Sequence, residues 1–489
     1  MGRASAGLRW LGPIGAAVVA GLLLRDFGPE KAAIGALFAF TVGLWMSEVL
    51  PVAIASLLST CLLILTGRAG EEAAFAAYGD PIVPLFIGSF ILAKAMEQTG
   101  LSDRFAYRIL QLRWTSSSPQ ALLLALGLVP CVLSLLVSNT ATTAMMLPIG
   151  LSVLSAIGQR TQQSPFAYGT MLMLTWGSSV AVGLPVGTPP NLIGLGMIEK
   201  ATSTRIGFGQ WMAFAMPITA LSLLVCWGLL LLLYGKANRQ ITPAGLAEAR
   251  ELARAGLQRA GAWTPSERVV IAAFGVALVG WALPDLAEMV LSKEHAWTTL
   301  LKTRLPASVP AVLASVVLFA VPCRDRESGR AIDWREASQI DWGTILLFAA
   351  GIALGKALFA SGLAKDLGTL AAEASGARDV WAITALCIAA SIVLSELASN
   401  TAAATTLVPV AIGLSEAANV SPIPAALGVA LGASFGFMLP VSTAPNAIVY
   451  SSGLVPARQM LRAGILLDIV SFFVIFGTLR LVLPMIGLA

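Results

Sequence analysis

Ser134–Pro148 reads SLLVSNTATTAMMLP, and about half the chain later Ser395–Pro409 reads SELASNTAAATTLVP. Each stretch sets a polar triplet, Ser138–Asn139–Thr140 or Ser399–Asn400–Thr401, inside strongly apolar sequence. Hydroxyl and amide oxygens, joined by unwound backbone carbonyls, suit a small hard cation such as Na⁺. Backbone N–H groups at a helix start suit an oxyanion, because the helix dipole adds partial positive charge there. Asparagine offers a donor and an acceptor, so one side chain can serve an anion and a cation together. Ser134 and Ser138 are four residues apart, as are Ser395 and Ser399, which predicts one helical face for each pair.

Two further interruptions match between the halves: PVGTPPN at 185–191 and PVSTAPN at 440–446. Proline removes backbone donors and glycine loosens a helix, so the chain is expected to unwind there. These loops add Thr188, Asn191, Thr443 and Asn446. A single Ser or Thr in a membrane helix is most simply read as bonding back to a carbonyl or cementing helix packing. Four interruptions repeated in order point instead to a midplane site built from two hairpin tips and two broken helices. The sequence shows no nucleophile–base pair, metal cluster, phosphate loop or nucleic-acid signal, which argues against an enzyme and against a nucleic-acid partner.

The elements that must position these residues lie in a lipid bilayer. The chain of 489 residues is 57% hydrophobic and 12% charged, with a mean hydropathy of +0.82. A soluble chain carries about twice that charged share. Apolar runs of spanning length recur throughout, which makes this an all-α polytopic membrane protein. The net charge of +5 reflects Lys and Arg gathered in particular loops, as the positive-inside rule requires. The five cysteines have no metal or disulfide spacing and read as small hydrophobes.

About 11 transmembrane helices and two re-entrant hairpins are expected. Spans fall near 9–24, 32–50, 51–67, 81–101, 166–200, 209–234, 268–284, 306–322, 343–363, 424–452 and 461–486, with hairpins near 120–157 and 379–417. The first apolar run reads as a helix rather than a removed signal peptide. Arg104, Arg108 and Arg113 predict an interfacial amphipathic helix, and 236–266 reads as a solvated linker. The regions are then 1–30, a first repeat 31–235, the linker 236–266 and a second repeat 267–489. Each repeat has an odd number of crossings, so the second must be inverted. An inside N-terminus puts Arg104–Arg113, Lys236–Arg259, Arg324–Arg335 and Arg458–Arg462 on the cytoplasmic side, with Lys293, Lys302, Arg304 and Arg378 against the trend. Lys94 and Lys356 read as snorkelling side chains. Glu396 is open between a structural hydrogen bond and a coupling role, and His295 reads as a loop residue.

At these residues the chain resembles the divalent anion/sodium symporter (DASS) family of di- and tricarboxylate and sulfate transporters. The resemblance runs from about Trp45 to the C-terminus and rests on LWMSEVLPVAIASLL at 44–58, IDWGTILLFAAGIALGKAL at 340–358, both Ser-Asn-Thr tips, both Pro-Asn loops, and ASFGFMLPVSTAPNAIV at 433–449. It implies an elevator-type homodimer in the cytoplasmic membrane. It also implies one Na⁺ site at Ser134, Ser138, Asn139 and Gly187, and another at Ser395, Ala398, Asn400 and Ser442. Substrate carboxylates would meet Asn139, Thr140, Asn400 and Thr401, with Thr188, Thr443 and Ala444 alongside. Ala444 departs from the family's double proline and bears on substrate size. The function so implied is Na⁺-driven symport of C4-dicarboxylates. A sodium-independent dicarboxylate exchanger is the nearest alternative, with a tricarboxylate or sulfate carrier, a channel or a receptor behind it.

Overall fold

The computed structural model describes residues 3–161, 164–292, 294–376 and 378–489. Lys293 and the side chains of Arg3, Arg9 and Arg239 lie outside the described set. Among the described residues the chain is helical, without a named strand. α1 (Arg3–Leu23) packs along α2 (Pro29–Ser47). Next come α3 (Val52–Leu65), α4 (Glu71–Phe75), α5 (Ile82–Gln98) and α6 (Leu101–Leu110). α7 (Pro119–Ser134) and α8 (Asn139–Ala156) form the first hairpin, and α9 (Pro165–Ser179) and α10 (Pro189–Thr202) the first broken span. α11 (Phe208–Tyr234) leads to the linker helix α12 (Pro243–Ala260). The second half runs through α13 (Pro265–Leu291), α14 (Ala296–Arg304), α15 (Ser308–Ala320), α16 (Trp334–Ala337), α17 (Trp342–Ala360) and α18 (Leu363–Ser375). α19 (Val380–Leu397) and α20 (Asn400–Ala417) form the second hairpin. The second broken span, α21 (Ile423–Gly432) and α22 (Ala444–Ser451), precedes α23 (Ala457–Met485).

Six of the described helices are long and apolar enough to cross a membrane, or seven with the α14–α15 pair, which bends by 61°. Of the remaining expected crossings, α1 and α2 are single helices of 21 and 19 residues, and the others are made of shorter pieces. α3, for example, is 14 residues long, or about 21 Å. The sequence reading missed α18, whose alternation of apolar and charged residues, LAKDLGTLAAEAS, falls below any spanning pattern. It follows α17 as α6 follows α5.

The packing sorts the helices into two groups. α3, α5, α13, α15 and α17 pack together, with α5 against α15 and α17 against α3. The hairpins and broken spans pack with α11 and α23. There α10 lies on α20, α22 on α8, and α11 on α23. Each half therefore completes the other.

The linker is docked, contrary to its reading as solvated. Arg104, expected on the watery face of α6, is 2% exposed. Its Nε donates to Glu267 Oε1 at 2.6 Å. Its two terminal nitrogens donate to the carbonyls of Gly261 (2.8 Å), Ala260 (2.8 Å) and Ala262 (3.1 Å). The guanidinium also stacks 4.9 Å from the Trp263 ring centroid. The carbonyls that end α12 lack helical partners, and a planar five-donor group is well suited to collect them. Arg104→Ala leaves Glu267 buried and unpaired, so it is expected to destabilise the protein by about 3–5 kcal/mol. Thermal unfolding in detergent measures this, and an unchanged midpoint would refute it.

Candidate functional site

Each Ser-Asn-Thr triplet starts a helix. Ser138 is extended (φ −60°, ψ 142°), and its Oγ accepts from the Ala141 N–H at 3.2 Å. Ser399 repeats this (φ −63°, ψ 146°), accepting from Ala402 N–H at 3.2 Å. This corrects the expectation that Ser134 shares a helical face with Ser138, and Ser395 with Ser399. Serine is a preferred N-cap, so it ends the turn and begins a new helix, and the paired serines fall on two different helices. Asn139 and Thr140, like Asn400 and Thr401, then occupy the first two helical positions, where N–H groups lack intrahelical partners.

The same geometry differs at the broken spans. α10 begins Pro189–Pro190 and α22 begins Ala444–Pro445. Prolines carry no N–H, so these helix starts offer fewer donors than the hairpin tips. Ala444 is exposed and restores one N–H that the first copy lacks.

In the first half, Gly187 ends a short 3₁₀ turn, Pro185–Gly187. A Cβ there would lie 2.9 Å from the Ala181 carbonyl oxygen, 3.2 Å from that of Leu135 and 3.3 Å from that of Ser134. Three carbonyl oxygens thus face Gly187, which brings it together with Ser134. Ser134 Oγ and Asn139 Oδ1 are buried and have no hydrogen-bond partner. Such orphaned acceptors are costly in a membrane. With the carbonyls they make an oxygen-only donor set that fits a hard monovalent cation.

In the second half the oxygens satisfy one another. Ser395 Oγ lies 2.9 Å from Asn400 Oδ1 and 2.7 Å from the Ala433 carbonyl oxygen. Ser442 Oγ donates to the Leu439 carbonyl at 2.8 Å. Asn446 Nδ2 donates to Ser442 Oγ (3.0 Å), Gly436 O (3.2 Å) and Leu439 O (3.0 Å). Ala398 is buried where α19 ends. Asn191 likewise donates to the carbonyls of Val182 (3.2 Å) and Leu184 (3.1 Å). Both loop asparagines are therefore staples of the unwound backbone.

The two halves meet at their breaks. Thr188 Oγ1 lies 3.5 Å from Ser434 Oγ, and Thr175 Oγ1 donates to Asn446 Oδ1 at 2.7 Å. Thr443 Oγ1 accepts from Asn446 N–H at 3.2 Å, capping α22. Ser434, Thr175 and the carbonyls of Ala181 and Leu135 escaped the sequence reading. Backbone carbonyls leave no mark in a sequence, Thr175 lies outside the repeated motifs, and Ser434 could have been found because it matches Ser179 of the first copy.

A cavity of about 460 Å³ runs between α6 and α8, from Glu97 and Asp103 to Val137, Ala141 and Thr142 beside the first tip. Burial holds the Asp103 carboxyl above its ordinary pKa. Lys94 and Glu97 pair at 3.2 Å at the same end. At the opposite end, Asp80 at the start of α5 is buried and paired with Lys200 at the end of α10. Asp285 Oδ2 accepts from Gly209 N–H at 2.6 Å, tying α13 to the first turn of α11. Carboxylates at that end thus join the two packing groups.

The chain has relatives among known transporters. Residues 26–488 match the family described as the sodium:sulfate symporter transmembrane region. The sodium-dependent dicarboxylate transporter SdcS of Staphylococcus saprophyticus is 31% identical over 477 residues, 95% of this chain and 89% of that protein. SdcS of Staphylococcus aureus USA300 is 31% identical over 451 residues, 90% and 84% of the two chains. In fold the chain is similar to the Alcanivorax borkumensis YdaH transporter, with a TM-score of 0.51 at 16% identity over 88% of each chain. The chain is a polytopic membrane transporter, not an enzyme, and it belongs to the sodium:sulfate symporter family.

Proposed function

We propose that this protein is a sodium-coupled symporter of C4-dicarboxylates such as succinate, malate or fumarate in the cytoplasmic membrane. The observation that carries the reading is the pair of matched helix starts at Ser138–Thr140 and Ser399–Thr401, the first beside carbonyls and orphaned oxygens. Free N–H groups at the two tips suit the two carboxylates of a short diacid. No Lys, Arg or His occurs in 134–148 or 395–409, so added positive charge must come with the substrate. Na⁺ held by Ser134, Ser138, Asn139 and Gly187, and by Ser395, Ala398, Asn400 and Ser442, would supply it. Asn139 and Asn400 then belong to both ligand sets, which couples ion and substrate through one side chain. Thr140, Thr188, Thr401, Thr443 and Ala444 line the substrate side. The names of the SdcS relatives support sodium and dicarboxylate.

The two packing groups support an elevator cycle in an inverted-repeat homodimer. The hairpins and broken spans carry the site past the group of α3, α5, α13, α15 and α17. With the N-terminus in the cytoplasm, the α6–α8 cavity opens inward and the Asp80 and Asp285 ties lie outside.

Succinate uptake into proteoliposomes tests the function. Accumulation is expected under an inward Na⁺ gradient and not under a matched K⁺ gradient. Uptake that ignores Na⁺ and requires internal succinate would make the protein an exchanger and overturn the symport reading.

A further inference from the structure

The second broken span is held by a device that the first one lacks. Glu396 on α19 is 1% exposed, and its carboxylate accepts from the N–H groups of Met438 (2.8 Å) and Leu439 (3.1 Å). Asp468 on α23 is 9% exposed and lies beside the Glu396 carboxyl. Its Oδ1 is buried without a hydrogen-bond partner. Gly464 is one helical turn before Asp468, on the same face. A Cβ at 464 would lie 2.3 Å from Met438 Cα and 2.6 Å from the Phe437 carbonyl oxygen. α19 and α23 therefore grip Phe437–Leu439 from two sides, one by charge and one by close backbone approach.

The grip answers a physical need. Three successive N–H groups in an unwound stretch have no helical acceptors, and leaving them unpaired in a bilayer is costly. A carboxylate accepts several donors at once. Fixing the N–H groups of Met438 and Leu439 on one side leaves the Gly436 and Leu439 carbonyls to Asn446 and Ser442 on the other. At the matching place in the first half, Leu135 follows Ser134 as Glu396 follows Ser395. Thr219 of α11 stands near Gly183 there, its hydroxyl buried and unpartnered.

We infer that Glu396, Asp468 and Gly464 form a clamp that positions the second oxygen set, including Ser442 and the Gly436 carbonyl, for its cation. The two cation sites are therefore unequal: the first unwound stretch is held by Asn191 and Trp211, and the second is held in addition by buried carboxyl groups. This rests on the sodium-coupled reading. Glu396, Asp468 and Gly464 are positioning residues that act through Phe437–Leu439.

The test uses purified full-length protein, with Na⁺ titrations of both succinate uptake and the unfolding midpoint, against choline. Glu396→Gln and Gly464→Ala are each expected to raise half-saturating Na⁺ about tenfold and to flatten its cooperativity. The KM for succinate at saturating Na⁺ should stay within about twofold. Gly464→Ala carries no charge change, so a shared effect isolates geometry. A shift in Glu396→Gln with a normal Gly464→Ala would mean that the carboxylate acts on the cation directly, and the clamp would fall. Normal Na⁺ curves in both variants would also sink it. Should Gly464→Ala not fold, Asp468→Glu, which keeps the carboxyl but lengthens its side chain, takes its place under the same criteria. A wild type indifferent to Na⁺ in both titrations removes the sodium reading itself, and the clamp's role with it. That outcome is distinct from a sodium-dependent wild type with unaltered variants.

Discussion

Asn139→Ala is expected to reduce succinate uptake to background in a protein that still folds, and Asn400→Ala to do the same. Asn139 sits at the first position of α8, with Oδ1 buried and unpartnered. Asn400 holds the matching place in α20, with Oδ1 2.9 Å from Ser395 Oγ. One hydrogen bond to a charged ligand contributes about 1.5–3 kcal/mol, or roughly 10- to 150-fold in affinity. Each asparagine is assigned to a cation and to a carboxylate, so both affinities fall together and their losses multiply in transport. Neither change removes an N-cap, because Ser138 and Ser399 supply those. The unfolding midpoint in detergent should therefore move little. Uptake at the wild-type rate by either folded variant would remove the tips from the site.

Gly187→Ala is the second change with a large expected effect, and it acts through space alone. The new methyl group would lie 2.9 Å from the Ala181 carbonyl oxygen, with those of Leu135 and Ser134 at 3.2 and 3.3 Å. All three are backbone atoms, so relief requires that the oxygen cluster open. A ligand set misplaced by about 0.5 Å no longer presents its productive geometry. Half-saturating Na⁺ is expected to rise at least about tenfold, equivalent to about 1.4 kcal/mol. Ala181, Leu135 and Ser134 belong to the first half, so the Na⁺ dependence that survives reports the second site. A sodium titration of uptake reads this directly, and an unchanged curve would take the carbonyl cluster out of cation binding.

Much of this architecture is legible in the sequence because membrane insertion leaves a strong mark. Hairpins, broken spans and their order follow from apolar runs and from where Ser, Asn, Pro and Gly interrupt them. The tips were found because a Ser-Asn-Thr triplet inside hydrocarbon needs partners, and because it occurs twice. Four things are hidden. α18 is amphipathic, and its pattern resembles a loop between two spans. Arg104 looks like any interfacial arginine, and only the fold shows that α12 ends against it. The carbonyls around Gly187 have no residue type at all. Glu396 was visible as a lone acid, but its partner Asp468 lies on another helix with no motif to join them.

The carboxylate ties at the far end of the bundle, Asp80 with Lys200 and Asp285 with the Gly209 N–H, have a consequence for how the transporter is tuned. In the proposed cycle they hold one entrance shut, so only a fraction of molecules offers the site to that compartment at any moment. The apparent dissociation constant measured from that compartment exceeds the intrinsic one by the inverse of that fraction. Every 1.4 kcal/mol or so held in the ties is then a tenfold difference in apparent affinity. Two carboxylates far from the substrate would thereby set the concentration sensed at that face of the membrane, while every ligand at the site stays the same.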